Sequence, residues 1–346
     1  MANIIGSITR AATRQPNEPL NILTFPTHER YETGLCKTGH NFYAWRAEGI
    51  KDWNRNYAAL PNNYTLLNKD RGEDQIPIEV DIDLILSQNK CGQFQVASKL
   101  AHQLHLPLVS LEHTLPHVSW NRTTLETYYN MKGHYNVFIS DYSKVEWGWK
   151  DSPAKVIYHG VDTELFSPAN NLAKKKHVLS VVNDWPNRDW CCGFKLWQEV
   201  SKDLPVFPVG DSPGLSKPAG SILELVQNYR EAQVFINTSL VSPYPTALLE
   251  AMSCGCAVVS TATCAIPEII KNGENGFCTN DKAEMRSFLE KLLIDNELVQ
   301  CLGIAARQTI VNKFGMDSFV SNWNEVFNIA KEHVYIGEVN EVKSVA

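Results

Sequence analysis

The chain has no apolar run approaching the roughly 20 residues that a membrane-spanning helix needs. Its opening, MANIIGSITRAATRQPNEPL, also lacks the apolar core of a secretory leader. A cytoplasmic protein without a transmembrane segment is therefore expected. Basic excess is missing too: the formal net charge is −6, so no global positive surface invites nucleic acid or anionic lipid. Nine cysteines, an odd number scattered along the chain, do not make a disulfide scaffold, and reduced thiols are expected. Cys191–Cys192 and Cys254-Gly-Cys256 are close pairs without the two-residue gap common in zinc knuckles. No G-x-G-x-x-G run is present, which removes the fingerprint of a dinucleotide-dependent oxidoreductase.

What is present is the balance of a globular protein, with 44% hydrophobic and 20% charged residues. At 346 residues the chain exceeds what one core usually organises, so two domains are expected. Short β-branched apolar runs alternate with helix-like stretches, the rhythm of a parallel sheet with crossover helices. In the first half, strands are expected over 21–25, 82–87, 107–111, 137–140 and 155–158, with a helix over 93–106. In the second half, strands fall over 177–182, 205–209, 234–237, 257–260 and 276–279. Helices there cover 194–202, 222–230, 246–253, 282–294 and 297–313, and a last amphipathic helix covers 316–333. Two such βα series imply two doubly wound domains with a cleft between them. The polar, proline-bearing stretch 167–176 reads as the linker, with Lys174–Lys176 as a solvated face.

Residues 237–277 are the most informative. Pro243 and Pro245 forbid a helix before Thr246, Ala-Leu-Leu-Glu-Ala-Met is strongly helical, and Gly255 can end it. The N-terminal amides of such a helix, around Pro245, Thr246 and Ala247, and its positive dipole end suit a diphosphate. Glu250 then lies about one turn inside, where a carboxylate can accept hydrogen bonds from both hydroxyls of a ribose.

The segment resembles the donor site of retaining glycosyltransferase family 4, also called glycosyl transferases group 1, whose motif is glutamate, seven residues, glutamate. Glu250 matches the second glutamate, residues 251–255 the following EAMxxG, and Ile266-Pro-Glu-Ile-Ile270 with Asn272-Gly273 the closing stretch. Ser242 stands where the first glutamate would be. Further signposts follow in family order. Tyr158-His-Gly-Val-Asp resembles the stretch closing the N-terminal domain, Val209-Gly210-Asp211 the glycine turn after the second C-terminal-domain strand, and the region from Phe314 the helix crossing back.

The resemblance implies an α/β protein of GT-B architecture, with two Rossmann-like doubly wound domains facing each other across a cleft. The expected division is 1–168 for the acceptor side, 169–315 for the nucleotide-sugar domain, and 316–346 for the crossover helix and tail. It also implies donor contacts from Gly210, Ser242, Pro245, Thr246 and Ala247, with Arg188 and Lys195 as cationic partners of the diphosphate. His113, at the end of a strand, is expected to be exposed near donor sugar and acceptor. His28, Glu29 and Arg30, in a loop after the first strand, are acceptor-side candidates. His113 and His117 have the spacing of a helical zinc pair, but Pro116 disfavours that helix. The reaction implied moves a sugar from a nucleoside diphosphate sugar to an acceptor hydroxyl, retaining configuration and using neither cofactor nor metal. The acceptor is open; nucleic acid enters only as one, through a modified DNA base. A catalytically silent sugar-nucleotide-binding protein is the alternative that Ser242 keeps open.

Overall fold

The computed structural model describes residues 4–15, 17–50, 52–55, 57–169 and 173–332. The chain divides into two compact units, the first drawn from 1–139, 143–158 and 319–346, the second from 140–142 and 159–318.

Unit 1 opens with α1 (Ile4–Thr13), β1 (Asn21–Thr24), α2 (Glu29–Cys36), β2 (Asn41–Ala44), β3 (Tyr64–Leu66) and β4 (Leu84–Ser87). Then come α3 (Phe94–Leu104), β5 (Leu108–Glu112), α4 (Arg122–Tyr129), β6 (Tyr135–Phe138), α5 (Asp141–Glu146), which counts with unit 1 from Ser143, and β7 (Lys155–Val156). The strands form one sheet in the order β3-β2-β1-β4-β5-β6-β7, and all its pairings are parallel. Every residue of β4 is buried, as expected of a central parallel strand covered on both faces. Phe94, Ala97, Leu100, Ala101 and Leu104 of α3 are buried at helical spacing and join Leu23, Ile85 and Leu108 in one core. The helix closes at His105, φ +54°, with the Leu106 amide donating to the Ala101 carbonyl at 3.0 Å.

Unit 2 contains β8 (Lys175–Val181), α6 (Asp189–Cys192), α7 (Phe194–Val200), β9 (Val206–Val209), α8 (Ile222–Glu231) and β10 (Ala232–Asn237). It continues with α9 (Thr246–Ser253), β11 (Ala257–Ser260), α10 (Ile266–Ile269), β12 (Phe277–Cys278), α11 (Lys282–Ile294) and α12 (Asn296–Lys313). Its sheet, ordered β12-β11-β10-β8-β9, is also all parallel. The side chain of Asp281 caps α11 by accepting from the Glu284 amide, and Asp295 caps α12 by accepting from the Leu298 amide. Arg307 of α12 donates to the carbonyls of Phe166, Ser253 and Thr163 at 3.1, 2.7 and 3.1 Å, fastening the segment before β8 to the end of α9.

The last helix, α13 (Met316–Lys331), buries Phe319, Trp323, Val326, Phe327 and Ala330. From Phe319 onward it counts with unit 1, where the Trp323 indole donates to the Tyr31 hydroxyl at 3.2 Å. The expected end of this helix at His333 lies outside the described residues, as do 170–172 of the expected linker.

Two expectations are corrected. Lys174–Lys176 is solvated but not a linker: the exposed Lys175 and Lys176 begin β8, and the Lys174 ammonium donates to the Ala232 carbonyl at 3.0 Å. The stretch after β1, expected as a loop, folds from Glu29 into α2.

Candidate active site

In unit 2 the chain leaves β8 toward β9 on one side and leaves β10 toward β11 on the other. Connections departing in opposite directions open a crevice at the carboxyl ends of adjacent parallel strands, the usual ligand position in such sheets. The loops there are tied together. The Asp211 amide donates to Asn183 Oδ1 at 2.8 Å, the Asp184 amide to the Asp211 carbonyl at 2.6 Å, and the Trp185 amide to Ser212 Oγ at 3.0 Å. Gly210, φ +134°, sits so close that a Cβ would stand 2.0 Å from the Val182 carbonyl oxygen. Only glycine fits this approach of two backbones. Gly193 meets the same limit, with a Cβ 2.1 Å from the Thr238 carbonyl oxygen. From beyond β11, the hydroxyls of Thr261 and Thr263 both donate to the Ser239 carbonyl at 2.6 Å.

Helix α9 starts behind this wall. Pro245 is its N-cap, with no side-chain cap hydrogen bond. The Leu248 and Leu249 amides donate to the Pro245 carbonyl at 3.1 and 3.4 Å, while the amides of exposed Thr246 and half-buried Ala247 lie ahead of the helix's own ladder. Ser242 is half-buried in the same loop. The helix ends in a Schellman turn: Gly255 has φ +73°, and the Cys256 and Gly255 amides donate to the Ala251 and Met252 carbonyls, each at 3.0 Å. One turn inside α9, Glu250 is buried, and its Oε2 accepts from the hydroxyl of fully buried Tyr229 at 2.9 Å.

Arg188 is exposed, its Nη1 3.4 Å from the Asn183 carbonyl, and it belongs to the loop that meets Gly210. Lys195 stands in the first turn of α7 with Nζ 3.4 Å from Asp189 Oδ2. The Lys195 backbone amide, donating to Asp189, is the main cause holding that carboxyl below its usual range.

In unit 1, His113 follows β5 and is half-buried rather than exposed. Its Nε2 lies 3.2 Å from Gln88 Oε1, and its ring meets the Tyr31 ring edge-on at 4.4 Å. Glu112 pins this turn: its Oε1 accepts from the Thr114 amide at 2.7 Å and hydroxyl at 2.6 Å, and its Oε2 from the Lys90 amide at 2.8 Å. Lys90 is itself buried against Phe94, Trp147 and Trp149, and burial lowers its ammonium to about 8. His28 is the exposed N-cap of α2, its ring stacked at 6.3 Å on Tyr57. Glu29 is buried, accepting from the Asn54 amide at 2.9 Å, and Arg30 is half-buried beside it in α2. His117 lies on no helix and its Nδ1 is 2.7 Å from Ser119 Oγ. Among the described residues, no group of three or more His, Cys, Asp or Glu side chains is placed to hold a metal ion, and no helix is long and apolar enough to cross a membrane.

The structure thus gathers Arg188, Gly210, Ser242, Pro245, Thr246 and Ala247 on loops and a helix start at the carboxyl end of one sheet, while His113, His28, Glu29 and Arg30 belong to the other unit. Sequence reasoning missed Tyr229, Glu32 and Gln88. Gln88 left one signal, its place directly after a buried strand, whereas Glu32, between Tyr31 and Thr33, left none.

Residues 214–295 match the family model described as Glycosyl transferases group 1. The chain is 26% identical over 226 residues to N-acetyl-alpha-D-glucosaminyl L-malate synthase of Bacillus anthracis, covering 59% of this chain and 53% of that protein. It therefore spans about half the length of that relative. Among solved structures, HepE of Anabaena in complex with UDP-glucose superposes with a TM-score of 0.66 at 15% identity, over 90% of this chain and 100% of that one. Sucrose-phosphate synthase from Thermosynechococcus elongatus superposes at 0.68 with 13% identity, over 90% and 98%. A glycosyltransferase from Rickettsia africae superposes at 0.64 with 16% identity, over 92% and 100%. The fold, α/β with two parallel sheets, is that of GT-B glycosyltransferase structures.

Proposed function

We propose that the chain is a retaining glycosyltransferase of family 4 that moves a sugar from a nucleoside diphosphate sugar to an acceptor hydroxyl. The observation that carries this reading is Glu250, a buried carboxylate one turn inside a helix whose leading amides stand at the carboxyl end of β10, within the stretch matched by the family model. The amides of Thr246 and Ala247 hold the diphosphate with the positive end of the helix dipole. Glu250, oriented by Tyr229, accepts from the ribose hydroxyls. Gly210 lets its turn close against the loop that carries Arg188.

As the bond from anomeric carbon to phosphate oxygen breaks, negative charge grows on the diphosphate. Arg188 stabilises it, joined by Lys195 once that ammonium turns from Asp189. The acceptor oxygen bonds to the same face of the anomeric carbon and passes its proton to the leaving phosphate oxygen. Fixed positive groups of the chain thereby serve in place of a metal. In unit 1, His113 is the catalytic candidate, with His28, Glu29 and Arg30 on the acceptor side. Ser242, shorter than glutamate and able both to donate and to accept, shapes the sugar pocket for a donor other than the family's usual hexose.

UDP-glucose, bound by HepE, is the first probe of a panel of nucleoside diphosphate sugars. Donor cleavage, with water standing in for the acceptor, is expected to persist in EDTA and to fall at least tenfold in His113→Ala with UDP affinity nearly unchanged. Activity abolished by EDTA and restored by magnesium or manganese would overturn the metal-free mechanism. Tight donor binding without cleavage or transfer would make the chain a silent sugar-nucleotide binder.

A further inference from the structure

The first sheet has its own switch point, between β1 and β4, whose onward connections leave in opposite directions. Two fully buried polar side chains occupy it, Glu32 from α2 and Gln88 directly after β4. Gln88 Nε2 donates to Thr24 Oγ1 and to Glu32 Oε1, each at 2.8 Å, which uses both of its N–H bonds. Glu32 Oε1 also accepts from the Thr27 amide at 3.1 Å, and Glu32 Oε2 lies 3.2 Å from the Tyr64 hydroxyl.

Glu32 Oε1, already accepting from the Thr27 amide, can only accept when the carboxyl is ionised or carries its proton on Oε2, beside the Tyr64 hydroxyl. A reversed Gln88 would set its carbonyl oxygen against that acceptor. Its oxygen therefore faces the other way, 3.4 Å from the Thr27 hydroxyl and 3.2 Å from His113 Nε2. An amide oxygen only accepts, so His113 Nε2 carries the ring proton. Tyr31, edge-on to the imidazole and held through its hydroxyl by the Trp323 indole, fixes the ring plane.

We propose that Glu32 and Gln88 are positioning residues that lock His113 in the Nε2–H tautomer, leaving Nδ1 as the ring nitrogen that gains and loses a proton. This rests on the reading of His113 given above as a reacting-site residue. Tyr31, Cys36 and Tyr64 are ionisable groups that interact electrostatically with Glu32, and Glu29 interacts with Tyr64. Burial raises the Glu32 carboxyl to about 7, and a proton taken up on Oε2 near neutrality leaves the Oε1 link to Gln88 intact.

The test is nitrogen NMR of the full chain labelled in its histidine rings, with the His113 signals assigned by their loss in His113→Ala. Between pH 9 and pH 5 only Nδ1 is expected to change protonation, Nε2 staying protonated throughout. In Gln88→Met, which keeps the volume but accepts no hydrogen bond, the proton is expected to exchange between both nitrogens. Glu32→Met should behave likewise because Gln88 is then free to reverse. Glu32→Gln, whose amide oxygen still accepts at the Oε1 position, should restore the wild-type pattern. A general loss of packing would lower the melting temperature of both methionine variants without moving the ring nitrogens. A wild-type ring protonated on Nδ1 or averaging over both nitrogens overturns the proposal, and so does a Gln88→Met spectrum like that of wild type. Either result, beside a tenfold loss of UDP-glucose cleavage in His113→Ala, sinks the tautomer lock alone. A locked tautomer beside unchanged cleavage in His113→Ala instead sinks the role of His113 while the lock stands.

Discussion

Glu32 accepts hydrogen bonds from Thr27, Gln88 and Tyr64 and yet has a carboxyl raised to about 7, because loss of water disfavours its charged form more than those donors favour it. Its unfolded value is near 4.5, so between about 4.5 and 7 the folded protein binds more protons than the unfolded one. Stability contributed by this group is then fully present below about 4.5 and is lost as pH rises through about 7. Glu32→Gln removes that dependence, and relative to wild type it should gain about 3 kcal/mol on going from pH 4.5 to pH 8. Urea denaturation at several pH values measures it, and a stability difference independent of pH would show that Glu32 titrates normally. Ser242 offers a test of another kind. If the pocket is shaped for another sugar, Ser242→Glu should reduce turnover of every donor in the panel; improved hexose transfer would mean the site is merely a degraded form of the family's. Glu250 and Ser242 stand out in the sequence as candidates because they sit in a motif of fixed spacing. Glu32, Gln88 and Tyr229 do not, since their partners lie on other elements far along the chain.

At the scale of elements, the loops at the end of the second sheet depend on glycines that no side chain can replace. Gly210→Ala drives a Cβ into the Val182 carbonyl and should cost about 2–3 kcal/mol while also weakening nucleotide binding. Gly214, φ +82° but with nothing within 4 Å of an added Cβ, bears backbone strain only, and Gly214→Ala should cost about 1 kcal/mol. Equal losses in denaturant melts would show that the two loops part easily. Helices α9 and α11 were legible to their ends because prolines, an acidic cap and a glycine punctuate them. By contrast α2 was missed, since it buries Glu29 and Glu32 where the pattern calls for apolar residues. Strands β2 and β3 were missed for brevity, with four and three residues on one side of the sheet.

For the molecule as a whole, alternation of apolar strands and helices was enough to read two parallel α/β sheets, because crossover connections leave a strong periodic signal. The order of strands, and with it the switch points that locate both candidate sites, is set by long-range pairing and was not legible. On the proposed reading, a nucleoside diphosphate is held at the carboxyl end of the second sheet by α9 and Glu250. Calorimetric titration of UDP into the wild-type chain and into Glu250→Gln tests it most directly. Loss of one charge-assisted hydrogen bond, about 1.5–3 kcal/mol, should weaken binding roughly 10- to 100-fold in a variant that melts within a few degrees of wild type. Equal UDP affinity in a folded Glu250→Gln chain, or no binding of any nucleoside diphosphate by the wild type, would contradict it.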